Sequence, residues 1–145
     1  MQTITEYLSA GHKHCDDLFA EAEAAAARDD LAAAKAGFIV FHQEMEHHLS
    51  KEENVMFPAY EETTGTYMSG PTSVMRMEHG QMRGLFEDIQ AALEAGDTSA
   101  CAGLLETLLV LMQQHNFKEE QMLYQMADRT LSDREDIIRK MKEMP

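Results

Sequence analysis

The sequence predicts an all-α fold, an antiparallel up-down-up-down four-helix bundle with a short extra helix at its C-terminal end. Apolar residues recur at i, i+3 and i+4 along four long segments, which is the spacing of amphipathic helices. No stretch alternates apolar and polar residues as a half-buried strand does. The links between the four segments are short, and short links favour antiparallel neighbours.

The first two helices are predicted from the N-terminal half of the chain. Thr3 or Thr5 is placed to cap the first helix, which ends at the polar residues 28–30. The second helix begins near Leu31. Pro58 should kink this helix or end it early, because proline donates no backbone hydrogen bond.

The C-terminal half of the chain supplies the other helices. A loop rich in Gly, Ser and Thr is predicted over residues 63–73. The third helix then runs from about 73 to 95, and Asp97 or Thr98 caps the fourth. A short amphipathic helix over residues 132–144 closes the chain.

Length and charge exclude several functions. The chain has 145 residues, which predicts a single domain over 1–145. Its 12 basic and 26 acidic residues give a net charge of −14, which argues against a nucleic-acid partner or an anionic membrane surface. Two cysteines are too few for a disulfide framework. With neither an apolar leader nor a spanning segment, the protein is expected to be cytoplasmic.

Two of the predicted helices carry a His followed four residues later by a Glu, on the face that must be buried. The pairs are His48/Glu52 and His115/Glu119. They lie within about 30° of the centres of their apolar stripes, whereas His47 lies about 130° away. Burying carboxylates requires compensation, and i, i+4 spacing lets both side chains reach one metal ion. Inward His and Glu residues are how helical bundles hold two iron or manganese ions; the alternative is a pair of buried ion pairs.

The other two helices each offer one further imidazole. His79 lies on the stripe of the third helix, and the first helix offers His12 or His14. We prefer His12 because it heads a His-x-x-x-Asp pair with Asp16. Three interpretations of Asp16 stay open: a surface residue, a hydrogen-bond partner of a ligand, or a replacement ligand. Cys15 is expected to be buried in the core, or redox-active if it lies near iron. The predicted metal ligands are His12, His48, Glu52, His79, His115 and Glu119.

Four segments carry a family resemblance: GHKHCDDLF, HHLSKEENVMFPAYE, VMRMEHGQM and HNFKEEQMLY. With these segments the sequence resembles the hemerythrin-like (HHE cation-binding) domains over nearly its whole length. The resemblance implies a four-helix bundle with two non-haem iron ions, bridged by carboxylates and held by the same six residues. The ligand set looks most like that of bacterial iron-centre repair proteins, which respond to nitric oxide and oxidants.

The sequence departs from the pattern of oxygen-carrying hemerythrins at three positions. Arg83 stands where those proteins have a second His on the third helix, and it is expected to be solvated or ion-paired, or to line the site. Glu119 replaces an Asp one position further on, and Gly11 replaces an Asp before His12. Losing the fifth His leaves a coordination position open.

These features predict a di-iron protein that binds or reduces a small diatomic ligand (O₂, NO or peroxide), in oxygen, redox or nitrosative-stress handling. Two alternatives stay open. One is an iron store, donor or sensor without turnover, and the other is a zinc or manganese protein with a structural metal. The protein is expected to be a monomer or a homodimer.

Overall fold

The computed structural model describes residues 2–145, and these residues form helices and turns without a strand. The helices are α1 (Ile4–Ala27), α2 (Leu31–Lys51), α3 (Phe57–Thr64), α4 (Pro71–Glu94), α5 (Thr98–Lys118), α6 (Tyr124–Thr130) and α7 (Arg134–Lys142). A π-helical turn, Glu52–Met56, joins α2 to α3, and a second, Glu119–Leu123, joins α5 to α6. None of the helices in the described range is long and apolar enough to cross a bilayer.

Side-chain caps fix where three of the long helices begin. Thr3 rather than Thr5 caps α1, and its hydroxyl accepts from the Glu6 amide at 3.0 Å while the Glu6 carboxylate accepts from the Thr3 amide at 3.1 Å. Asp30 and Asp97 cap α2 and α5 through single side-chain hydrogen bonds. The predicted starts of these helices are therefore confirmed.

The structure corrects three predicted boundaries. Of the two predicted effects of Pro58, a kink or an early end, the structure excludes the early end, because a π-turn precedes Pro58 and the chain continues as α3, with Pro58 in its first turn. Helix α4 begins at Pro71, two residues before the predicted position 73, since proline suits the first helical position. Helix α7 is shorter at both ends than the predicted range 132–144.

The long helices enclose two hydrophobic clusters, with a polar layer between them. Helix α1 packs on α2 and α5, and α4 packs on the same two helices. One cluster is rich in Phe and Leu, and includes Phe19, Phe41 and Leu108. The other contains Ile4, Phe57, Tyr124 and Ile137, so that α7 covers one end of the bundle. Buried His and Glu residues lie between the two clusters along each long helix.

Candidate metal centre

The structure brings all six predicted ligands into one buried layer, where each residue is at most 6% exposed. Their nitrogen and oxygen atoms form two groups, and within each group the atoms lie within 4.8 Å of one another. The first position has the imidazoles of His12 and His48, and the second has those of His79 and His115. Glu52 and Glu119 belong to both groups. The arrangement can therefore hold two cations that share two carboxylates.

Each shared carboxylate approaches one imidazole of each position. The distances from Nε2 to the nearest carboxylate oxygen are 3.0 Å for His12–Glu119, 3.2 Å for His115–Glu119, 3.1 Å for His79–Glu52 and 4.0 Å for His48–Glu52. No helix, with the π-turn that follows it, contributes more than two of these six side chains. The site therefore depends on the packing of α1, α2, α4 and α5.

Several buried ligand atoms have no hydrogen-bond partner among the described residues. Leaving one such atom unsatisfied costs about 1–3 kcal/mol. A cation at each position would satisfy them, and imidazole with carboxylate suits iron and manganese. The donor set therefore fits a pair of metal ions. The atoms are Nε2 of His48, His79 and His115, Oε1 of Glu52 and Oε2 of Glu119.

Burial and mutual charge set the protonation of these groups in the absence of metal. Burial, with the neighbouring His12, lowers the pKa of His48 to about 3, so His48 is in the neutral form that binds metals. Burial also lowers the pKa of His12, but hydrogen bonds to Glu119 and Glu120 outweigh it and raise that pKa to about 9. Burial and the charge of Glu119 raise the pKa of Glu52. A bound cation would replace the protons that this cluster shares.

Three carboxylates that sequence reasoning missed hold the outer nitrogens of the imidazoles. A carboxylate on Nδ1 fixes the ring orientation and leaves Nε2 free for a metal. Two of them directly follow the shared carboxylates in sequence, which is a signal that could have identified them. The Nδ1–oxygen distances are 2.6 Å for His12–Glu120, 2.8 Å for His79–Glu53 and 2.9 Å for His115–Glu78.

Tyr124 is a fourth residue that sequence reasoning missed. Its hydroxyl oxygen lies 2.5 Å from a carboxylate oxygen of Glu52, 2.8 Å from one of Glu119 and 3.1 Å from Nε2 of His12, and its single proton can be donated to either carboxylate. Burial and the two carboxylates raise the pKa of Tyr124, so the hydroxyl stays protonated and can donate. Tyr124 therefore ties the two shared carboxylates together.

An internal repeat underlies this arrangement. The sequence from His48 to Phe57 reads His-x-x-Lys-Glu-Glu-x-x-x-Phe, and that from His115 to Tyr124 reads His-x-x-Lys-Glu-Glu-x-x-x-Tyr. Each π-turn begins at the shared carboxylate, with a hydrogen bond from residue i+5 to residue i. A π-turn aligns residues five apart, so the ring that ends each repeat faces the same interior as the carboxylate. Phe57 stacks on His79 and Tyr124 on His12, at 5.5 and 5.6 Å between ring centroids.

The other candidate histidines lie outside the two groups. His14 is exposed, with Glu44 at 3.8 Å. His42 packs against Phe86 at 4.9 Å between ring centroids, and His47 contacts a backbone oxygen of the C-terminal segment at 3.3 Å. The geometry therefore favours His12 over His14 and His48 over His47.

Cys15 and Asp16 take structural positions near the site without joining it. Cys15 lies in the Phe-rich cluster, where burial raises the pKa of its thiol to about 12 and disfavours the reactive thiolate. Asp16 is on the exposed side of α1.

Arg83 forms ion pairs. Its guanidinium donates two hydrogen bonds to Glu53, at 2.8 and 3.0 Å, and a third to Glu46 at 3.1 Å. Because Glu53 holds His79, Arg83 contacts the second position through that carboxylate and does not supply a metal ligand.

A helical bundle with buried, paired His/Glu groups defines a candidate cation-binding protein. The chain belongs to the hemerythrin HHE cation-binding family, whose model matches residues 3–127. This match confirms the resemblance found in the four motif segments.

Curated relatives match a shorter segment. An iron-sulfur cluster repair protein YtfE from Cronobacter sakazakii is 39% identical over 51 residues, and the segment covers 35% of this chain and 23% of that protein. The proteins of the same name from Citrobacter koseri and Escherichia coli K12 are 39% and 37% identical over segments with the same coverage. The chain thus matches about a quarter of the length of these relatives. No solved structure matches the chain significantly.

Proposed function

We propose that the chain is a non-haem di-iron protein that binds or reduces a small diatomic ligand, O₂, NO or peroxide, in oxygen, redox or nitrosative-stress handling. In this proposal residues 1–145 form one domain, an antiparallel up-down-up-down bundle. His12 and His48 hold one ion, His79 and His115 hold the other, and Glu52 and Glu119 serve both. The observation that carries the proposal is the pair of four-residue groups that share two carboxylates.

The residues around the centre orient its ligands and keep water away. The Nδ1 partners hold three imidazoles with Nε2 turned inward. The hydroxyl of Tyr124 fixes the relative position of Glu52 and Glu119. Phe57 covers one face of His79, and apolar clusters close both ends of the layer. When bound, a pair of iron ions supplies redox electrons and coordination positions for an exogenous ligand.

The donor count supports binding of an exogenous ligand. Each position has two imidazoles and oxygens from two carboxylates, which leaves room on an ion that accepts six ligands. Arg83 occupies the sequence position of the fifth His of oxygen carriers, and its guanidinium is engaged with Glu46 and Glu53. We therefore favour a site that reacts with its ligand over a saturated carrier site.

A second candidate function is that of an iron donor, store or sensor without turnover. The name of the curated relatives, iron-sulfur cluster repair protein, favours the donor role. Consumption of O₂ or peroxide with a reductant would favour the first function, and transfer of iron to an acceptor without consumption would favour the second. In both cases we propose a cytoplasmic monomer or homodimer with no nucleic-acid or membrane partner.

Iron loading of matched variants tests the proposal. After anaerobic reconstitution with Fe(II), the wild-type chain should retain two iron ions. Glu52→Ala and Glu119→Ala should each abolish the two-metal site, because each removes a ligand of both positions. His47→Ala should retain both ions, since His47 lies outside the groups. Wild-type protein that binds no iron, or that selects only zinc, would contradict the proposed function.

A further inference from the structure

The internal repeat pairs residues 48–57 with residues 115–124, and the imidazoles of α1 and α4 extend this pairing to the other two long helices. His12 on α1 corresponds to His79 on α4, and His48 corresponds to His115. On this correspondence Glu120, which holds His12, is the counterpart of Glu53, which holds His79. Differences between counterparts therefore identify what distinguishes the two positions.

The first difference concerns the residue before the imidazole of α1 and α4. On α4 this residue is Glu78, which holds Nδ1 of His115 at 2.9 Å and accepts a hydrogen bond from Lys118. On α1 it is Gly11, and among residues 2–145 only Glu52 brings a carboxylate within 4.0 Å of a ring nitrogen of His48. His48 thus lacks the carboxylate that fixes its counterpart.

The second difference lies one turn further along the same helices. On α4 this position is Arg83, whose two hydrogen bonds hold Glu53 on His79. On α1 the same position is Asp16, an acidic side chain in place of the arginine. Asp16 and Glu120 line the same surface cleft, of about 450 Å³, between α1 and α5. The side chain of Glu120 is 34% exposed, against 20% for Glu53.

Solvent exposure follows the same division. His12 and His48 are 5% and 6% exposed, whereas His79 and His115 are 0% and 2% exposed. The imidazoles of the first position are thus slightly more exposed, fewer of them are held by a carboxylate on Nδ1, and the carboxylate that holds His12 lines an acidic cleft. At the second position both imidazoles are held by carboxylates, and each carboxylate is ion-paired with a basic side chain, Arg83 or Lys118.

From these differences we infer that the two positions have different roles: the His12–His48 position exchanges its metal ion through the α1–α5 cleft, and the His79–His115 position retains it. Glu120 is the carboxylate on the exchange route, since it joins the cleft to His12. A hydrated divalent cation is the species that an acidic cleft admits. This inference rests on the proposed two-metal centre and assigns separate roles to its halves.

Release of iron to a chelator tests the inference. Protein loaded anaerobically with two Fe(II) ions is mixed with excess ferrozine, and the coloured complex is followed in time. The expected trace has two phases, each corresponding to one ion per chain. In Asp16→Arg an arginine would hold Glu120 on His12, as Arg83 holds Glu53 on His79. Mutating the hydrogen-bond partner of a metal ligand typically changes metal affinity about 10–100-fold, so this substitution should slow the fast phase by at least about tenfold. Arg83→Gln should accelerate the slow phase.

Asp17→Arg is the matched control, because it makes the same charge change at an exposed residue outside the cleft. It should leave both phases unchanged. A single phase for both ions, an effect of Asp16→Arg on the slow phase alone, or an equal effect of Asp17→Arg would overturn the inference. A loading below two ions per chain would contradict the di-iron function itself, so the two failures are distinguishable.

Discussion

Gly11 lies on α1 directly against the imidazole of His48. A Cβ atom at this position would lie 2.6 Å from Nδ1 of His48 and 2.9 Å from its Cε1. Real Cβ atoms do not approach other atoms so closely, so any larger residue would displace the imidazole. The absence of a side chain at position 11 is thus a packing requirement of His48.

Gly11→Ala should therefore impair the His12–His48 position and leave the other intact. We expect iron loading to fall from two ions to about one per chain, measured by metal analysis after anaerobic reconstitution. Gly103→Ala is the control, because a Cβ there meets nothing within 4 Å. That variant should bind two ions and gain up to about 1 kcal/mol of stability from helix propensity. Full loading of Gly11→Ala would show that His48 can move without losing its metal.

The hydroxyl of Tyr124 is what distinguishes this residue from Phe57, which occupies the equivalent place in the other repeat and stacks on an imidazole in the same way. Tyr124→Phe should destabilise the metal-free protein by about 1.5–3 kcal/mol, because the hydrogen bond that the hydroxyl donates to the pair of buried carboxylates is lost. Urea denaturation measures this change. Tyr67→Phe, at a residue that is 59% exposed, should change stability by less than about 0.5 kcal/mol. Equal effects of the two substitutions would remove the proposed role of the hydroxyl.

At the scale of the elements, the two π-turns decide which residues face the centre. Counting about 100° per residue places Tyr124 about 140° from Glu119 on a regular helix, away from the buried face. The π-turn brings it back in line. This is why helical projection predicted Glu52 and Glu119 but missed Tyr124. A regular period contains no sign of an extra residue in a turn.

The repeat of the His-x-x-Lys-Glu-Glu motif could have identified Glu53 and Glu120, which helical periodicity alone does not predict. Glu53 and Glu120 occupy the same place in both copies, and each holds an imidazole from another helix. Which imidazole each one holds depends on helix packing, and so could not be predicted from one chain segment. The burial of His48, Glu52, His115 and Glu119, in contrast, was predicted from spacing within single helices. The choice of His12 over His14 rested on the pairing with Asp16 and on the family resemblance.

Helix α7 covers the end of the bundle that contains Ile4, Phe57 and Tyr124. A substitution at one buried residue of α7 measures how much this helix contributes to the free energy of unfolding. Ile137 is 2% exposed and packs in the cluster that contains Phe57 and Tyr124. Ile137→Ala should lower the unfolding free energy by about 2–5 kcal/mol through the lost contacts and the cavity. Ile39→Ala makes the same change at a residue that is 57% exposed and should cost much less. A similar small loss in both variants would mean that α7 is not docked in solution.

At the scale of the whole molecule, metal binding and folding should be coupled. The shared carboxylates and imidazoles come from four helices and meet only in the folded chain. With free metal at about a thousand times its dissociation constant, binding should stabilise the fold by about 4 kcal/mol. Calorimetry with and without a chelator would measure this difference. Glu52→Ala, which removes a ligand of both positions, should lose most of it, and a chelator effect of equal size in that variant would contradict the coupling.

We propose above that Glu52 and Glu119 would each contact both of two iron ions. The most direct test is the EPR spectrum of reconstituted, air-oxidised protein, recorded with its iron content. We predict two iron ions per chain, absorption in the near ultraviolet, and almost no EPR intensity, because two Fe(III) ions that share bridging groups couple antiferromagnetically. Full intensity from isolated Fe(III), or a single iron ion per chain, would contradict the claim.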